Sequence, residues 1–262
     1  MSAWGLFGLG VAMMLIVFLI SWEWARRIDN YSLVDAVWAI GIGVTGVTWL
    51  GFSQGDPKHW VAGAMVVLWS LRLGWHLQRR IRKHHPEEDS RYTKLREAWK
   101  GRVASTFFWF FRAQAVSVIL LALPFFVVAR NPHSIWSLWE SAGVVLWVVG
   151  IVGEATADRQ MSAFKSRNND SAAVCQEGLW YYSRHPNYFF EGVIWLGFYI
   201  FACGSEWGWT TVHAPVIMIY LLLRVTGIPP TEAAAVLRKG DAYRRYQKTT
   251  SAFVPWPPRN AP

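Results

Sequence analysis

The chain has 262 residues, of which 53% are hydrophobic and only 16% charged, and its formal net charge is +9. That apolar share exceeds the about 45–50% of soluble domains and is gathered into long uninterrupted runs, which excludes an ordinary water-soluble domain and makes a bilayer the fitting solvent. The basic residues form no patch on an independent soluble fold, so nucleic acid is not an expected partner; two cysteines, Cys175 and Cys203, are too few for a disulfide framework and lack metal-ligand spacing.

A hydrocarbon core about 30 Å thick takes about 20 apolar residues per helix. Seven stretches meet this requirement, at 3–22, 33–52, 60–77, 103–128, 138–158, 186–204 and 209–226. The predicted fold class is therefore all-α, a polytopic membrane protein with seven transmembrane helices. Trp22, Trp24, Trp60, Trp136, Trp139, Trp207 and Trp209 stand at span ends, where an amphipathic ring favours the membrane interface. With the N-terminus outside, 22 of the 26 Lys and Arg fall on the inner side, so the positive-inside rule puts the C-terminus in the cytoplasm. No linker or composition break divides the chain, and one membrane domain over 1–262 is expected.

In chain order, the first polar group at membrane depth is Asp35, within Tyr31-Ser32-Leu33-Val34-Asp35-Ala36-Val37-Trp38. Such a group is costly in a span and implies a partner or a cavity. Arg72 and His76 share one face of the third span, and an Asp35 to Arg72 ion pair is a sufficient structural reason for both charges. Gly41, Gly43 and Gly46 spell G-x-G-x-x-G, but inside a hydrophobic span rather than between a strand and a helix, so close helix packing explains them better than a nucleotide loop.

The inner loops 78–102 and 159–185 and the tail from 227 lie on one side of the membrane, which predicts a shared inner-face site. Glu154 and Asp158 are four apart on the fifth span, with Lys165 seven residues further on; a salt-bridged helix end and a nucleotide-binding stripe are both open readings. The densest polar segment runs from Gly178 to Glu191. Pro186 suits a helix first turn, so the sixth span starts near His185, and its free N–H groups beside Arg184 and His185 make an anion site. Tyr188 follows, and Asn187 and Glu191 share a face one turn apart. Arg224 ends the last span, and a tail carrying Glu232, Arg238, Lys239, Tyr243, Arg244, Arg245 and Tyr246 reads either as a basic helix on the membrane or as a lid over phosphates.

Ser-Arg-His-Pro-Asn-Tyr-Phe-Phe-Glu at 183–191, preceded by Gly178-Leu179-Trp180, resembles the signature of the membrane steroid 5-alpha-reductase superfamily, including its bacterial branch. Ser32 to Trp38, Glu88 to Tyr92, Glu154 to Lys165 and Glu232 to Pro255 resemble that branch too, so the likeness covers most of the chain from residue 30. It implies an NADPH-dependent oxidoreductase that reduces a carbon–carbon double bond conjugated to a ketone, in a 3-oxo-4-ene steroid or another lipid enone drawn from the bilayer. By the same likeness, helices over 1–128 would face substrate and 150–262 would bind cofactor, from the cytoplasmic side. Glu154, Asp158 and Lys165 would meet the adenosine and ribose phosphate end, and Asn187 and Glu191 the nicotinamide. Arg184, His185 and Tyr188 belong to the cofactor-binding signature, while Arg224 with Glu232, Tyr243 and Tyr246 of the tail would reach the phosphates. Asp35 stands where steroid reductases carry an acid near the substrate carbonyl. Those enzymes pair that acid with a tyrosine on the next helix; the third span has none, and His76, or Tyr92 folding back from its loop, takes that place.

In the mechanism expected, hydride moves from nicotinamide C4 to the β-carbon, and Asp35, kept protonated by desolvation, supplies a hydrogen bond to the ketone oxygen directly or through a neighbour. No metal is needed. A monomer in the membrane is expected, in the inner membrane if the source is bacterial, with membrane lipids as its other partners. Two alternatives come from other classes: an S-adenosylmethionine-dependent membrane methyltransferase of the isoprenylcysteine or phospholipid type, whose Arg-His-Pro-x-Tyr segment is similar, and a non-enzymatic sterol- or lipid-binding membrane protein.

Overall fold

The structure, a computed structural model, describes residues 1–53, 55–84, 87–131, 135–168 and 170–259. All regular structure among them is helical, apart from one isolated bridge between Ser183 and Ser251. All seven expected stretches are helical. Five segments are long and apolar enough to cross a membrane: Ala3–Arg27, Tyr31–Gly51, Val103–Arg130, Leu138–Arg167 and Gly208–Thr249. The other two fall short for visible reasons. Pro57–His84 has a basic C-terminal end and carries Arg72 and His76, and Pro186–Ala202 has only 17 residues. The chain is thus a multi-pass helical membrane protein.

Two compact units divide the chain, one formed by Met1–Glu140 with Ala202–Ala214 and the other by Ser141–Phe201 with Pro215–Pro262. The sequence predicts a single domain with a functional gradient; the division into units passes within helices rather than through a linker.

The first unit holds α1 (Ala3–Arg27), α2 (Val34–Gly51), α3 (Pro57–His84), α4 (Ser90–Ala98) and α5 (Val103–Arg130). Helix α2 is its centre, and its three glycines meet three different neighbours. A Cβ at Gly41 would lie 3.2 Å from Met14 of α1, at Gly43 2.3 Å from Ser70 of α3, and at Gly46 3.0 Å from Phe125 of α5. Close packing is therefore their role, as the sequence suggests.

Pro124 sits inside α5 and has no N–H to offer the carbonyl of Leu120 one turn back. His213 fills the gap, its Nε2 donating to Leu120 O at 2.9 Å. In hydrocarbon an unpaired carbonyl is costly, and a side chain from a neighbouring segment is one way to satisfy it. His213→Phe is expected to lower stability by about 1–3 kcal/mol through that orphaned carbonyl, read as a fall in melting temperature in detergent.

The second unit holds the rest of α6 (Leu138–Arg167), the short α7 (Leu179–Tyr182), α8 (Pro186–Ala202), most of α9 (His213–Tyr220), a π-helical turn at Leu221–Val225 and α10 (Ile228–Thr249). Glycines again set the helix spacing. Gly143, Gly150 and Gly153 of α6 abut Phe201, Ile194 and Phe190 of α8, and Gly197 of α8 abuts Trp147 of α6. Helix α10 is interrupted at Gly240, whose φ of 55° only glycine adopts freely.

Candidate functional site

In the first unit the polar residues converge on the start of α2. Asn30 caps the 3-10 turn Tyr31–Leu33, accepting from Ser32 N–H at 3.0 Å, and this turn delivers Asp35 into the first turn of α2. The segment Glu87–Tyr92 is fastened beside it. Glu88 accepts from Tyr31 N–H at 2.7 Å, and the Ser32 hydroxyl accepts from Asp89 N–H at 2.9 Å. Asp89 in turn caps α4 through Arg91 N–H at 3.0 Å. Arg96 closes the outer edge, bonding Glu88 at 3.0 Å and Asp29 at 2.8 Å.

These anchors bring two α4 side chains onto Asp35. Arg91 Nη2 lies 2.6 Å from Asp35 Oδ2, and the Tyr92 hydroxyl donates to Asp35 Oδ1 at 2.6 Å. Arg91 Nε also bonds Asp89 Oδ1 at 3.0 Å, and Arg80 Nη2 lies 2.5 Å from Asp89 Oδ2. Phe107 and Phe110 of α5 pack around the Tyr92 ring, with Tyr31 stacked on Phe107 at 3.8 Å. Burial, and next the facing Asp35 carboxylate, push the Tyr92 phenol well above its ordinary pKa, so it stays a neutral donor.

The partner of Asp35 is thus Arg91 rather than Arg72. Of the two stand-ins for the family's tyrosine, Tyr92 touches Asp35; His76 is exposed on α3 and makes no contact with it. Sequence reasoning missed Arg91, although its position between Asp89 and Tyr92 in an acid-rich loop was the available signal.

Asp89 also gives this clasp a pH dependence. Burial works against its charge, but hydrogen bonds and charge from Arg91, with Arg80 adding to them, outweigh burial and hold its pKa below the usual carboxylate range. Its stabilisation is accordingly complete above the unfolded value of about 3.9 and fades as pH falls through the lower folded value. Asp89→Asn is expected to flatten the acid limb of melting temperature against pH, measured from pH 6 down to about pH 3.

In the second unit the signature 183–191 surrounds the start of α8. The side chain of Arg184 is 10% exposed and that of Glu232 15%, and the two pair at 2.6 Å. Arg184 also donates to the carbonyls of Gln247 and Thr250, while Gln247 Nε2 donates to Glu232 Oε2 at 2.9 Å. His185 Nε2 lies 3.3 Å from Glu232, and its ring stacks on Tyr188. The tail is tied further by Ser183 Oγ to Phe253 O at 2.8 Å, Trp256 N–H to Tyr182 O at 2.9 Å, and the buried Tyr246 hydroxyl to the Trp180 and Ser183 carbonyls. Tyr243 is buried beside Tyr246. Arg184, Glu232 and Tyr246 therefore hold the tail in place, a role the sequence reading had not given them.

One turn into α8, Glu191 is buried and accepts from Trp195 Nε1 at 2.9 Å. Asn187 Oδ1 is buried with no hydrogen-bond partner among the described residues. Such an acceptor is expensive to leave unmade. On α6, Glu154 is buried, Asp158 half-buried and Lys165 exposed. An open cleft of about 360 Å³ is lined by Gln160, Ala163, Ser166, Arg167, Glu177 and Gly178. Arg224 lies exposed in the π-helical turn. Among the described residues no cluster of His, Cys, Asp or Glu fits a metal ion.

A family model described as "Protein of unknown function (DUF1295)" matches residues 21–250. The chain belongs to this family. Among curated proteins, an uncharacterized protein of Schizosaccharomyces pombe is 25% identical over 278 residues, covering 95% of this chain and 79% of its own length. No solved structure matches significantly.

Proposed function

We propose that this DUF1295 protein is an NADPH-dependent reductase of lipid enones, of which a 3-oxo-4-ene steroid is the model substrate, spanning the membrane seven times with its N-terminus outside and its C-terminus and cofactor opening in the cytoplasm. The observation that carries this reading is the 2.6 Å hydrogen bond from Tyr92 to Asp35. It supplies, from α4, the acid–tyrosine pair whose tyrosine the third span lacks. The likeness of residues 183–191 to the signature of the steroid 5-alpha-reductase superfamily supports it further.

The residues of the second unit fit a reduced dinucleotide in part. Asn187 offers a buried acceptor in want of a donor, which a carboxamide N–H₂ provides, and Glu191 stands one turn deeper. Arg184 is committed in part to the tail, through Nε to Glu232 and Nη1 to two tail carbonyls. Arg224, exposed in the π-helical turn, is a cation placed to meet phosphates. NADPH, when bound, supplies the hydride.

The chain's own work is then to bind and to orient. Tyr92 turns its one hydrogen from Asp35 Oδ1 to the ketone oxygen as negative charge develops there, Asp35 holding the phenol until substrate arrives. The aromatic wall of Tyr31, Phe107 and Phe110 keeps water from that oxygen.

Thermal stability of the detergent-solubilised protein tests the cofactor. NADPH at 100 times its dissociation constant is expected to add about 2.7 kcal/mol, and S-adenosylmethionine nothing. The reverse result would establish the methyltransferase reading, and a response to neither would favour a lipid binder. Product analysis with a panel of enones then tests the reaction.

A further inference from the structure

We propose that the cleft at the C-terminal end of α6 binds a phospholipid whose headgroup carries both a phosphate and a primary ammonium, with an acyl chain lying along the exposed face of the same helix. The site does not depend on the reductase reading. Helix α6 has two unlike sides. Gly143, Trp147 and Gly150 abut α8, whereas Val145, Val148, Val149 and Val152 are exposed on the other side. Steps of three and four residues carry that exposed face onward through Arg159, Ala163, Ser166 and Arg167, all of them exposed, and the last three line the cleft. A hydrocarbon core about 30 Å thick takes about 20 residues of a helix. Counted from Leu138, the first residue of α6, the valines fall inside that core and the cleft falls just beyond it, at the level of the headgroups.

The cleft offers one charge of each sign. Arg167 and Glu177 pair with each other, yet their side chains remain 64% and 48% exposed, so a ligand reaches both. Arg167 Nε donates to Ala163 O at 3.3 Å and Arg159 Nε to Ala155 O at 3.2 Å, so both guanidinium groups lean one turn back toward the bilayer, where a lipid phosphate sits. The segment carrying Glu177 is pinned against the helix. Gln160 Oε1 accepts from Leu179 N–H at 2.9 Å, and Gly178, with φ of 58°, passes so near that a Cβ there would lie 2.5 Å from the Gln160 amide. A purely anionic headgroup meets the Glu177 carboxylate and is repelled. A zwitterionic one exchanges partners with the ion pair, phosphate to Arg167 and ammonium to Glu177, and an exposed pair of this kind costs little to open. A primary ammonium donates charge-assisted hydrogen bonds to the carboxylate, which a quaternary ammonium has no hydrogen to do.

Lipid titration of the full-length protein, delipidated in detergent and followed by native mass spectrometry, tests the site. Phosphatidylethanolamine is expected to bind about five- to tenfold more tightly than phosphatidylglycerol or phosphatidylcholine. Glu177→Gln is expected to abolish that preference, Glu177→Lys to turn it toward phosphatidylglycerol, and Arg167→Gln to weaken all three lipids. Arg245→Gln, which removes an exposed cation from α10, is expected to change none of them. Glycerophosphoethanolamine, a headgroup without chains, is expected not to compete even at about 100-fold excess, because it buries no methylenes on the valines. Equal affinities for the three lipids, tightest binding of phosphatidylglycerol by the wild type, a preference that survives both Glu177 variants, or an Arg245→Gln loss equal to that of Arg167→Gln would each overturn the site. Competition by the soluble headgroup would overturn the place given to the acyl chain, and with it the docking of a lipid.

Discussion

Tyr92→Phe is expected to lower turnover of an enone by about 10²–10³-fold while leaving the NADPH-induced rise in melting temperature unchanged. The size follows from the loss of one hydrogen-bond donor to a developing oxyanion, which typically raises the barrier by about 2.7–4 kcal/mol. The selectivity follows from position. Tyr92 lies in the first unit against Asp35 and the aromatic wall, whereas the proposed cofactor ligands Asn187 and Glu191 lie in the second. Asn187→Ala and Glu191→Ala are expected to lose both turnover and the NADPH response. Equal losses of both quantities in all three variants would remove the division of roles. Because the ring stays in place, Tyr92→Phe preserves the contacts with Phe107 and Phe110, and a large fall in stability without ligand would point instead to a structural hydroxyl.

Glu232→Ala is expected to destabilise the protein by about 3–5 kcal/mol, the range for breaking a largely buried ion pair. It strips the carboxylate from Arg184, His185 and Gln247 together and leaves a guanidinium with 10% exposure unneutralised. For a chain of this size that is a melting-temperature fall of roughly 6–20 °C. Glu232→Gln keeps the shape and one acceptor and should fall less. The comparison separates two roles for Glu232: a variant that melts near the wild type but no longer responds to NADPH would restore it as a cofactor ligand, whereas parallel losses mark it as a tie for the tail.

The helices were legible because span length and apolar runs are local properties: α5 was expected over 103–128 and occupies Val103–Arg130. The packing role of Gly41, Gly43 and Gly46 was legible for the same reason, as three small residues within a hydrophobic span. Pairing was not. The contact of Asp35 with Arg91 spans 56 positions, and that of Arg184 with Glu232 spans 48, and spacing along a single chain carries no record of such closures. The signature 183–191 was correctly singled out as dense in polar groups, yet whether its arginine faced a ligand or the protein's own tail depended on where residues 232–250 returned. Asn187 is the reverse case, a residue chosen for its type that also proves to hold a buried oxygen awaiting a donor.

The bond between His213 and the carbonyl opposite Pro124 links two residues that sequence order keeps far apart. Each makes the other tolerable: the pyrrolidine ring at 124 creates a vacancy that the imidazole answers, and that contact loses its purpose once an ordinary amide returns. Relatives should therefore exchange the two in concert, and Pro124→Ala introduced into His213→Phe should recover stability that neither change confers on the parent chain. A conserved histidine in this position would then testify to a carbonyl left open by proline rather than to chemistry, which warns against reading every membrane-embedded imidazole as a reactive group.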